Sequence, residues 1–504
     1  MTLLIQRPVN RVTSKKAGVK NRIWLEGKEI LNYFKVGETI KIEDQDDGET
    51  IVAVSVPVEA KRSDRSLRSV SSKVNRYSGA KVGLIELNES NSEILKTYKP
   101  EQVLKIVMQR GVLKITVKHD VLEERIQERE STMIDRLKKG IPLEKADLFA
   151  GGGTQTIMSH DGFKLAGLSS VVRFALDNYD QAIENLATNV RHVFDDYSVL
   201  INSDISLIDP MMLPKVDILT ITAPCTDTAK CARAKKGNKL ETDQTAHLVF
   251  YYSKILEHCN PSIVFIENVK TWKNFASWHV LAALLTQFGY KFQVREIDSH
   301  KEGFSLETRE RMYVVAQSRN LDLDFDLDDV ESVSKPRQTL AEVLDYVSPE
   351  SEVWKPYDHL KKEQKKHEAK GNGFKMQIFT PESTYIGTLR ALYQRAGTSD
   401  PLIKHPTKDL YRQVSEIEHC RIKEIPEEFV SGTVVGHAQK ILGNGLSGLV
   451  SKSIFYYLGL SLKRLVQPKI ELKAKVNDAF DKAGKVANQL TLNFDNLLSG
   501  VSAA

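Results

Sequence analysis

Two buried, strand-like segments each end in a side chain that could take part in catalysis. The apolar run 217–222 continues into Pro224 and Cys225, and the run 263–266 continues into Glu267. A lone cysteine is usually an inert core thiol, but one in a Pro-Cys turn that opens a polar loop is a candidate nucleophile. A carboxylate at another strand end could hold or deliver a proton. These residues predict nucleophilic chemistry with acid–base assistance.

Cations accompany this pair in the sequence. Arg309 and Arg311 lie two positions apart in an extended segment, so strand alternation places both on one side. The loop after Cys225 contains four more cations, which suit a polyanionic ligand: Lys230, Arg233, Lys235 and Lys236.

A glycine turn and two acids form a second group of candidate residues. The segment DLFAGGG, residues 147–153, reads as a strand that runs into a glycine turn, and Asp177 and Asp204 each follow a later strand-like segment. Such a turn lets a nucleotide-like ligand approach the backbone, and an acid at the next strand end can bind a ribose diol. The turn is not GxGxxG and no GK[ST] follows it, so it does not predict a phosphate cradle.

Strand-like and helix-like patterns alternate from residue 146 onward. We therefore predict an α/β fold with a doubly wound, Rossmann-like sheet, whose carboxyl strand ends face the ligand crevice. The strands are predicted at 146–149, 171–176, 218–222, 263–266 and 313–316.

Changes of pattern divide this part of the chain. A charged, helix-prone connector, 121–145, precedes a catalytic region, 146–319. The alternation of strand-like and helix-like segments stops at 320–405, a region richer in Lys, Glu and Pro. It resumes at 406–470. The segment 471–504 reads as a helix followed by a disordered tail.

Residues 1–120 are predicted to form a β-rich domain with an internal repeat. The segment 29–35 is echoed at 93–99, and 40–42 matches 104–106 at the same offset of 64 residues. Each copy is too short to bury a core alone, so the two copies should pair into one barrel. The pattern loosely resembles the AbrB-like swapped-hairpin DNA-binding domains.

Composition excludes several classes of protein. Four cysteines in 504 residues, with no CxxC pair, predict neither a disulfide framework nor a zinc site. No apolar run of about 18 residues and no secretory signal is present, so we expect a cytoplasmic, nucleoid-associated protein without membrane contact. The net charge is +5, but residues 1–120 hold 22 Lys and Arg against 15 Asp and Glu, which favours a polyanionic partner.

Six motifs in series resemble those of the DNA (cytosine-5) methyltransferases. They are DLFAGGG, the strand ending at Asp177, APC, ENV, RERMYVV and the GNG at 443–445, and the resemblance covers about residues 145–460. It implies an S-adenosylmethionine-dependent methyltransferase domain with a small target recognition domain at 320–405. It also implies duplex DNA as partner and, in restriction–modification, a cognate endonuclease.

The resemblance implies a covalent mechanism. Cys225 would attack C6 of a cytosine flipped out of the duplex, which makes C5 able to accept the methyl group. Glu267 would protonate or hydrogen-bond N3, and Arg311, with Arg309, would hold the base.

The resemblance also assigns the S-adenosylmethionine contacts. Asp177 would take the ribose hydroxyls, Asp204 with Ile205 the adenine, and Asn444 the methionine end, while Pro224 would line the site beside the cysteine. The residues implied on the methionine and ribose side are Phe149, Gly151 and Gly153.

The chain departs from the family pattern in four places. Thr226 stands where Gln is usual, residues 227–228 stand where Ser is expected, and Glu307 stands where Gln usually precedes the paired arginines. About six extra residues separate Gly153 from Asp177. The nucleophile and the acid are retained.

Three alternatives stay open at the level of sequence. The chain could be a methyltransferase-like binder that has lost its chemistry. It could methylate tRNA cytosine, as one branch of the family does. It could also be a DNA-binding regulator whose N-terminal barrel represses transcription, with methylation secondary.

Overall fold

The fold is described from a computed structural model of the chain, which forms two compact units, residues 1–124 and 125–504. Cys225, the basic loop after it and the predicted C-terminal tail lie outside the described residues. The structure describes residues 2–14, 18–57, 64–75, 79–98, 103–117, 121–224, 245–371, 375–398 and 400–466.

The N-terminal unit consists of two antiparallel sheets. The six-stranded sheet has the order β1-β9-β10-β5-β4-β6, and the four-stranded sheet has the order β2-β3-β8-β7. A 3₁₀ helix at Glu29–Asn32 and the short helix α1 at Ile94–Thr97 join them. The strands are β1 (Leu3–Pro8), β2 (Asn10–Ser14), β3 (Gly18–Gly27), β4 (Thr39–Asp44), β5 (Thr50–Val56), β6 (Leu67–Ser69), β7 (Ser71–Val74), β8 (Lys81–Asn88), β9 (Val103–Gln109) and β10 (Val112–Val117).

The two sequence repeats have the same order of elements. The first runs β3, 3₁₀ helix, β4, β5, and the second runs β8, α1, β9, β10. Strand β3 pairs with β8 and β5 pairs with β10, both antiparallel, so strands of one copy are bonded to strands of the other. Ile40, Ile51, Leu104 and Ile115 lie in one apolar core, which neither copy could close alone.

Helix α2 (Val121–Lys139) forms where the charged segment predicted a helix. Glu123 and Glu124 lie in its first turn and Lys138 and Lys139 in its last, which complements the helix dipole. Gly140 follows at φ +66°, the left-handed conformation that ends many helices.

The second unit is built on a seven-stranded sheet with the order β13-β12-β11-β14-β15-β17-β16. Strands β11 to β15 are parallel, and β17 is antiparallel to both β15 and β16. Its strands are β11 (Leu143–Leu148), β12 (Ser170–Asp177), β13 (Val199–Asn202), β14 (Ile218–Ile221), β15 (Ile263–Val269), β16 (Tyr290–Asp298) and β17 (Glu310–Ser318).

Helices cover this sheet and join its strands. The helices of this part are α3 (Thr154–Leu165), α4 (Asp180–Asn189), α5 (Leu248–Cys259), α6 (Ala276–Gln287), α9 (Val435–Asn444) and α10 (Gly448–Val466). Within the described ranges, none of the helices is both long and apolar enough to cross a bilayer.

The predicted α/β, Rossmann-like fold is confirmed, and each of the five predicted strands forms within a few residues of its expected bounds. The predictions did not include β16. Its sequence, YKFQVREID, places polar residues between the apolar ones, and most of the strand is only partly buried. A half-exposed strand of this kind lacks the continuous apolar run that marked the central strands.

The region 320–405 has a small sheet of its own. Strands β18 (Gln377–Phe379) and β19 (Pro401–Lys404) are parallel, and β20 (Tyr411–Arg412) pairs antiparallel with β19. The third strand therefore lies beyond the predicted boundary at 405. Helix α7 (Asp358–Ala369) precedes the sheet, and α8 (Glu416–Ile422) follows it.

Candidate active site

A cavity of about 870 Å³ lies at the carboxyl ends of β11, β12, β14 and β15, which is where a doubly wound sheet binds its ligands. Of the twelve candidate residues, ten line it. Gly153 does not, and Cys225 lies outside the described residues. The ten are Phe149, Gly151, Asp177, Asp204, Ile205, Pro224, Glu267, Arg309, Arg311 and Asn444.

The turn after β11 forms one wall of the cavity. Phe149 and Gly151 adopt positive φ values of 59° and 54°, and the Gly151 N–H donates to Asp177 Oδ2 at 2.8 Å. Gly153 also has a positive φ, 98°, but it packs away from the cavity: a Cβ there would lie 2.6 Å from Leu186 Cδ2. Glycine at 153 therefore permits the close packing of α4 against the turn.

Two acids lie on the same side as this turn. Asp177 Oδ1 accepts a second backbone hydrogen bond, from Tyr179 N at 2.9 Å. Burial raises the pKa of Asp177, although these N–H groups oppose the rise. Asp204 is more exposed; it accepts from Ser206 N at 2.8 Å, and hydrogen bonding to Ser206 lowers its pKa. Ile205, beside it, is buried.

The opposite wall has an ion pair at the tips of two paired strands. Glu267 is the partly buried position near the carboxyl end of β15, and Arg311 lies near the start of β17. Arg311 Nε lies 2.9 Å from Glu267 Oε1, and the two side chains are 15% and 13% exposed. Both groups can therefore reach a ligand in the cavity.

Two of the four cysteines lie in the described part of the chain, and both are buried. Cys259 and Cys420 are buried, and burial raises the pKa of each thiol to about 12. Neither thiol can ionise readily near neutral pH, so neither is a candidate nucleophile. Pro224, which directly precedes Cys225, lines the cavity.

Arg309 differs from Arg311 in burial and in its contacts. It is only 4% exposed, and its Nη2 donates to the carbonyl oxygens of Gly443 and Asn444 at 3.3 and 3.4 Å. Its contacts are thus with the GNG turn, whereas Arg311 contacts Glu267. Both arginines line the cavity.

Other polar residues of the cavity were not among the candidates. Lys440 Nζ lies 3.4 Å from the centre of the Tyr179 ring, above Asp177. Its position could have been inferred, because Lys440 precedes Asn444 by one helical turn in α9. Thr388 and Arg390 also line the cavity. They belong to the region 320–405, where the sequence shows no regular strand or helix pattern, so nothing in the sequence identified them.

A cavity with apolar and polar lining residues at the carboxyl edge of a mixed, doubly wound sheet is typical of α/β proteins that bind a nucleotide or cofactor. The family model "C-5 cytosine-specific DNA methylase" matches residues 143–459. The chain therefore belongs to that family, and methylation of cytosine C5 in DNA is its activity. The tRNA-directed and regulatory alternatives are not favoured by the matches.

Individual relatives agree with this assignment. The chain is 25% identical over 329 residues to the Type II methyltransferase M.DsaV of Dactylococcopsis salina, covering 62% of this chain and 84% of that one. It is 23% identical over 345 residues to the Type II methyltransferase M.HhaI of Haemophilus parahaemolyticus, covering 63% and 94%.

A solved structure supports the fold. The S. pombe Dnmt2 methyltransferase matches with a TM-score of 0.51 and 16% identity, covering 64% of this chain and 99% of that one. At this identity, the likeness concerns the fold alone.

Proposed function

We propose that the cavity holds S-adenosylmethionine and a flipped-out cytosine side by side, and that Cys225 and Glu267 activate the cytosine ring. The observation that supports this most directly is a shared cavity. Glu267 and Arg311 line the same 870 Å³ space as Asp177 and Gly151. Groups for the target base and groups for the cofactor therefore border one volume.

The residues present fit S-adenosylmethionine. Asp177 has both carboxylate oxygens oriented by backbone N–H groups and lines the cavity, which suits a ribose diol. Phe149 and Ile205 provide apolar contact for the adenosine, and Asn444 lies at the far end beside the carbonyl groups held by Arg309. When bound, the cofactor supplies a methyl group carried on a sulfonium.

The protein's own groups prepare the cytosine for that methyl group. The Cys225 thiolate adds to C6, and the electron pair released toward C5 makes that carbon nucleophilic. Glu267 protonates or hydrogen-bonds N3, so that negative charge does not accumulate on the ring. After methylation, loss of the C5 proton and β-elimination of the thiolate restore the aromatic ring.

Arg311 would contact the exocyclic carbonyl of the base. Its guanidinium has several N–H donors, so it can keep the contact with Glu267 while another N–H donates to the base. C6 of a stacked cytosine is out of reach of a thiol, so the target nucleotide must leave the duplex.

We propose that the N-terminal unit contributes contacts to DNA phosphates. Lys105 on β9 and Lys114 on β10 are exposed, while the alternate residues Leu104, Ile106 and Ile115 are buried. The two lysines therefore project from the same outer face of the six-stranded sheet. Ammonium groups on an open face suit a polyanion.

We also propose a biological setting. M.DsaV and M.HhaI are both Type II methyltransferases, so a cognate restriction endonuclease is the partner expected for this chain. Binding to DNA would associate the protein with the nucleoid.

Bisulfite sequencing of DNA from cells that express the chain tests the proposed activity. We expect fully protected cytosines within one short recognition sequence, and none in cells expressing Cys225→Ser. Methylation of RNA but not DNA in the same cells would contradict the assignment of substrate.

A further inference from the structure

A fully buried ion pair lies next to residues that line the cavity. Glu307 and Lys423 are each 0% exposed, and Lys423 Nζ lies 2.7 Å from Glu307 Oε2. Glu307 precedes β17, and Lys423 directly follows α8, 116 residues later in the chain. Glu307 is also one of the positions at which this chain departs from the family pattern, which has a glutamine before the paired arginines.

Each member of this pair holds a different part of the cavity wall. Glu307 Oε1 accepts a hydrogen bond from Leu389 N at 2.8 Å, next to the cavity residues Thr388 and Arg390. Lys423 Nζ donates to the carbonyl oxygen of Gly445 at 3.2 Å. The pair thus connects the 388–390 segment to the GNG turn.

Arg309 joins the same cluster. Its Nη1 lies 3.6 Å from Glu307 Oε1, and its Nη2 donates to the carbonyls of Gly443 and Asn444. Glu307 is therefore the anion beside two buried cations, each of which also holds the backbone of the GNG turn.

The charges of this cluster favour an ionised carboxylate at Glu307. Burial raises the pKa of Glu307, but the neighbouring Lys423 and Arg309 outweigh burial and lower it. Burial also lowers the pKa of Lys423, to about 7, and Glu307 opposes that fall. His419 is neutral at physiological pH, since burial lowers its pKa to about 3. A neutral glutamine at 307 would remove the charge that lies 2.7 Å from Lys423 Nζ and 3.6 Å from Arg309 Nη1.

We infer that Glu307 and Lys423 act together as a positioning pair. The pair fixes the GNG turn, which in the proposed function borders the cofactor, and the segment 388–390, which borders the target base. This inference rests on the proposed function of the cavity. Neither residue contacts the reacting atoms; each acts through the backbone that it holds. The glutamate is required in this chain because the lysine is present, so the two should be replaceable only together.

Four variants of the full chain test the inference: Glu307→Gln, Lys423→Met, the double variant, and the control Glu418→Gln. Glu418 is matched to Glu307, because it is a 1%-exposed carboxylate paired with a buried arginine, Arg412, at 2.7 Å, and it does not line the cavity. Affinity for S-adenosylhomocysteine is measured by calorimetry, melting temperature by scanning fluorimetry, and kcat and KM with duplex DNA.

We expect Glu307→Gln and Lys423→Met each to weaken S-adenosylhomocysteine binding by at least 10-fold and to raise KM for DNA. The double variant should be impaired less than either single variant, since it removes both members of the pair and changes only the surroundings of Arg309. Glu418→Gln should lower the melting temperature while changing the affinity less than 2-fold.

Three results would overturn the inference. The first is parental affinity in a destabilised Glu307→Gln, which would make the pair purely structural. The second is a double variant that is no better than the single variants or does not fold. The third is equal loss of affinity in Glu418→Gln. If the parent itself does not bind S-adenosylhomocysteine, the proposed cofactor fails instead, which is a separate result.

Discussion

The proposed cofactor side of the cavity, at Asp177, and the proposed target side, at Glu267 and Arg311, are built in different ways. On the cofactor side, Asp177 is held by two backbone N–H groups of the turns beside it. On the target side, Glu267 and Arg311 are held by each other, through a side-chain contact of 2.9 Å. The cofactor side is thus fixed by the main chain, whereas the polar groups of the target side can exchange partners when a base arrives.

Because the two sides are held differently, substitutions on them should affect two different quantities, the rate of methyl transfer and the affinity for the cofactor. Substitutions on the target side should slow methyl transfer with little change in cofactor affinity. Substitutions on the cofactor side should weaken binding while the rate at saturation stays close to that of the parent.

The largest effect is expected at Cys225. Cys225→Ser should abolish turnover, because a serine hydroxyl is a far weaker nucleophile than a thiolate at neutral pH. DNA affinity, measured by fluorescence anisotropy, should stay within a few-fold of the parent. Cys420→Ser, at a buried thiol, is the control and should retain methylation; activity in Cys225→Ser would contradict the assignment of the nucleophile.

Glu267→Gln should give the next largest effect. Loss of the carboxyl group that protonates or hydrogen-bonds N3 of the cytosine should slow single-turnover methyl transfer by about 10²–10⁴-fold. Affinity for S-adenosylhomocysteine should remain that of the parent, because the cofactor side does not depend on the Glu267–Arg311 contact. An unchanged single-turnover rate would remove Glu267 from the mechanism.

Asp177→Asn should weaken cofactor binding while the methyl-transfer rate at saturation stays close to that of the parent. A hydrogen bond to a charged group contributes about 1.5–3 kcal/mol, so we expect affinity for S-adenosylhomocysteine to fall by about 10- to 150-fold. The nearby Asp180→Asn, at an exposed residue that does not line the cavity, is the control. Equal affinities in the two variants would place the ribose elsewhere.

The pH dependence of binding tests the same residue. The ionised carboxylate is the form that accepts both ribose hydroxyls, and burial raises the pKa of Asp177. Affinity should therefore fall as the pH decreases, and the fall should begin above the range in which an ordinary aspartate titrates. Calorimetry across this range should show the fall in the parent and not in Asp177→Asn.

The smallest effect is expected in the N-terminal unit. The double substitution Lys105→Gln and Lys114→Gln should lower the slope of log affinity for DNA against log salt by up to about 2, since each phosphate contact contributes about 0.9. Methyl-transfer rates with saturating DNA should not change. An unaltered salt slope would exclude these lysines from the DNA contact.

Local patterns were enough to predict much of the site. Buried strands that continue into polar residues made Asp177 and Glu267 candidates, because parallel strands bring their carboxyl ends to one edge of the sheet. The i, i+2 spacing of Arg309 and Arg311 made them candidates on one side of an extended segment. The turn at Gly151 was also predicted, since positive φ favours glycine.

The rest depended on contacts that no local pattern contains. Glu307 and Lys423 are joined across 116 residues, and neither lies in a periodic segment that would indicate its burial. The buried position of Arg309 follows from the GNG turn folding over it. Gly153 was predicted to contact the cofactor, but it packs against α4 because the turn continues directly into a helix.

The central claim is that the thiol of Cys225 bonds to a carbon of the target base, and one measurement tests it most directly. Duplex DNA with 5-fluorocytosine at the target, incubated with the enzyme and S-adenosylmethionine, is analysed by denaturing electrophoresis and peptide mass spectrometry. The account predicts a stable adduct on Cys225 that carries the methyl group, because no C5 proton remains to be lost. Active enzyme that methylates normal DNA but forms no such adduct would contradict it.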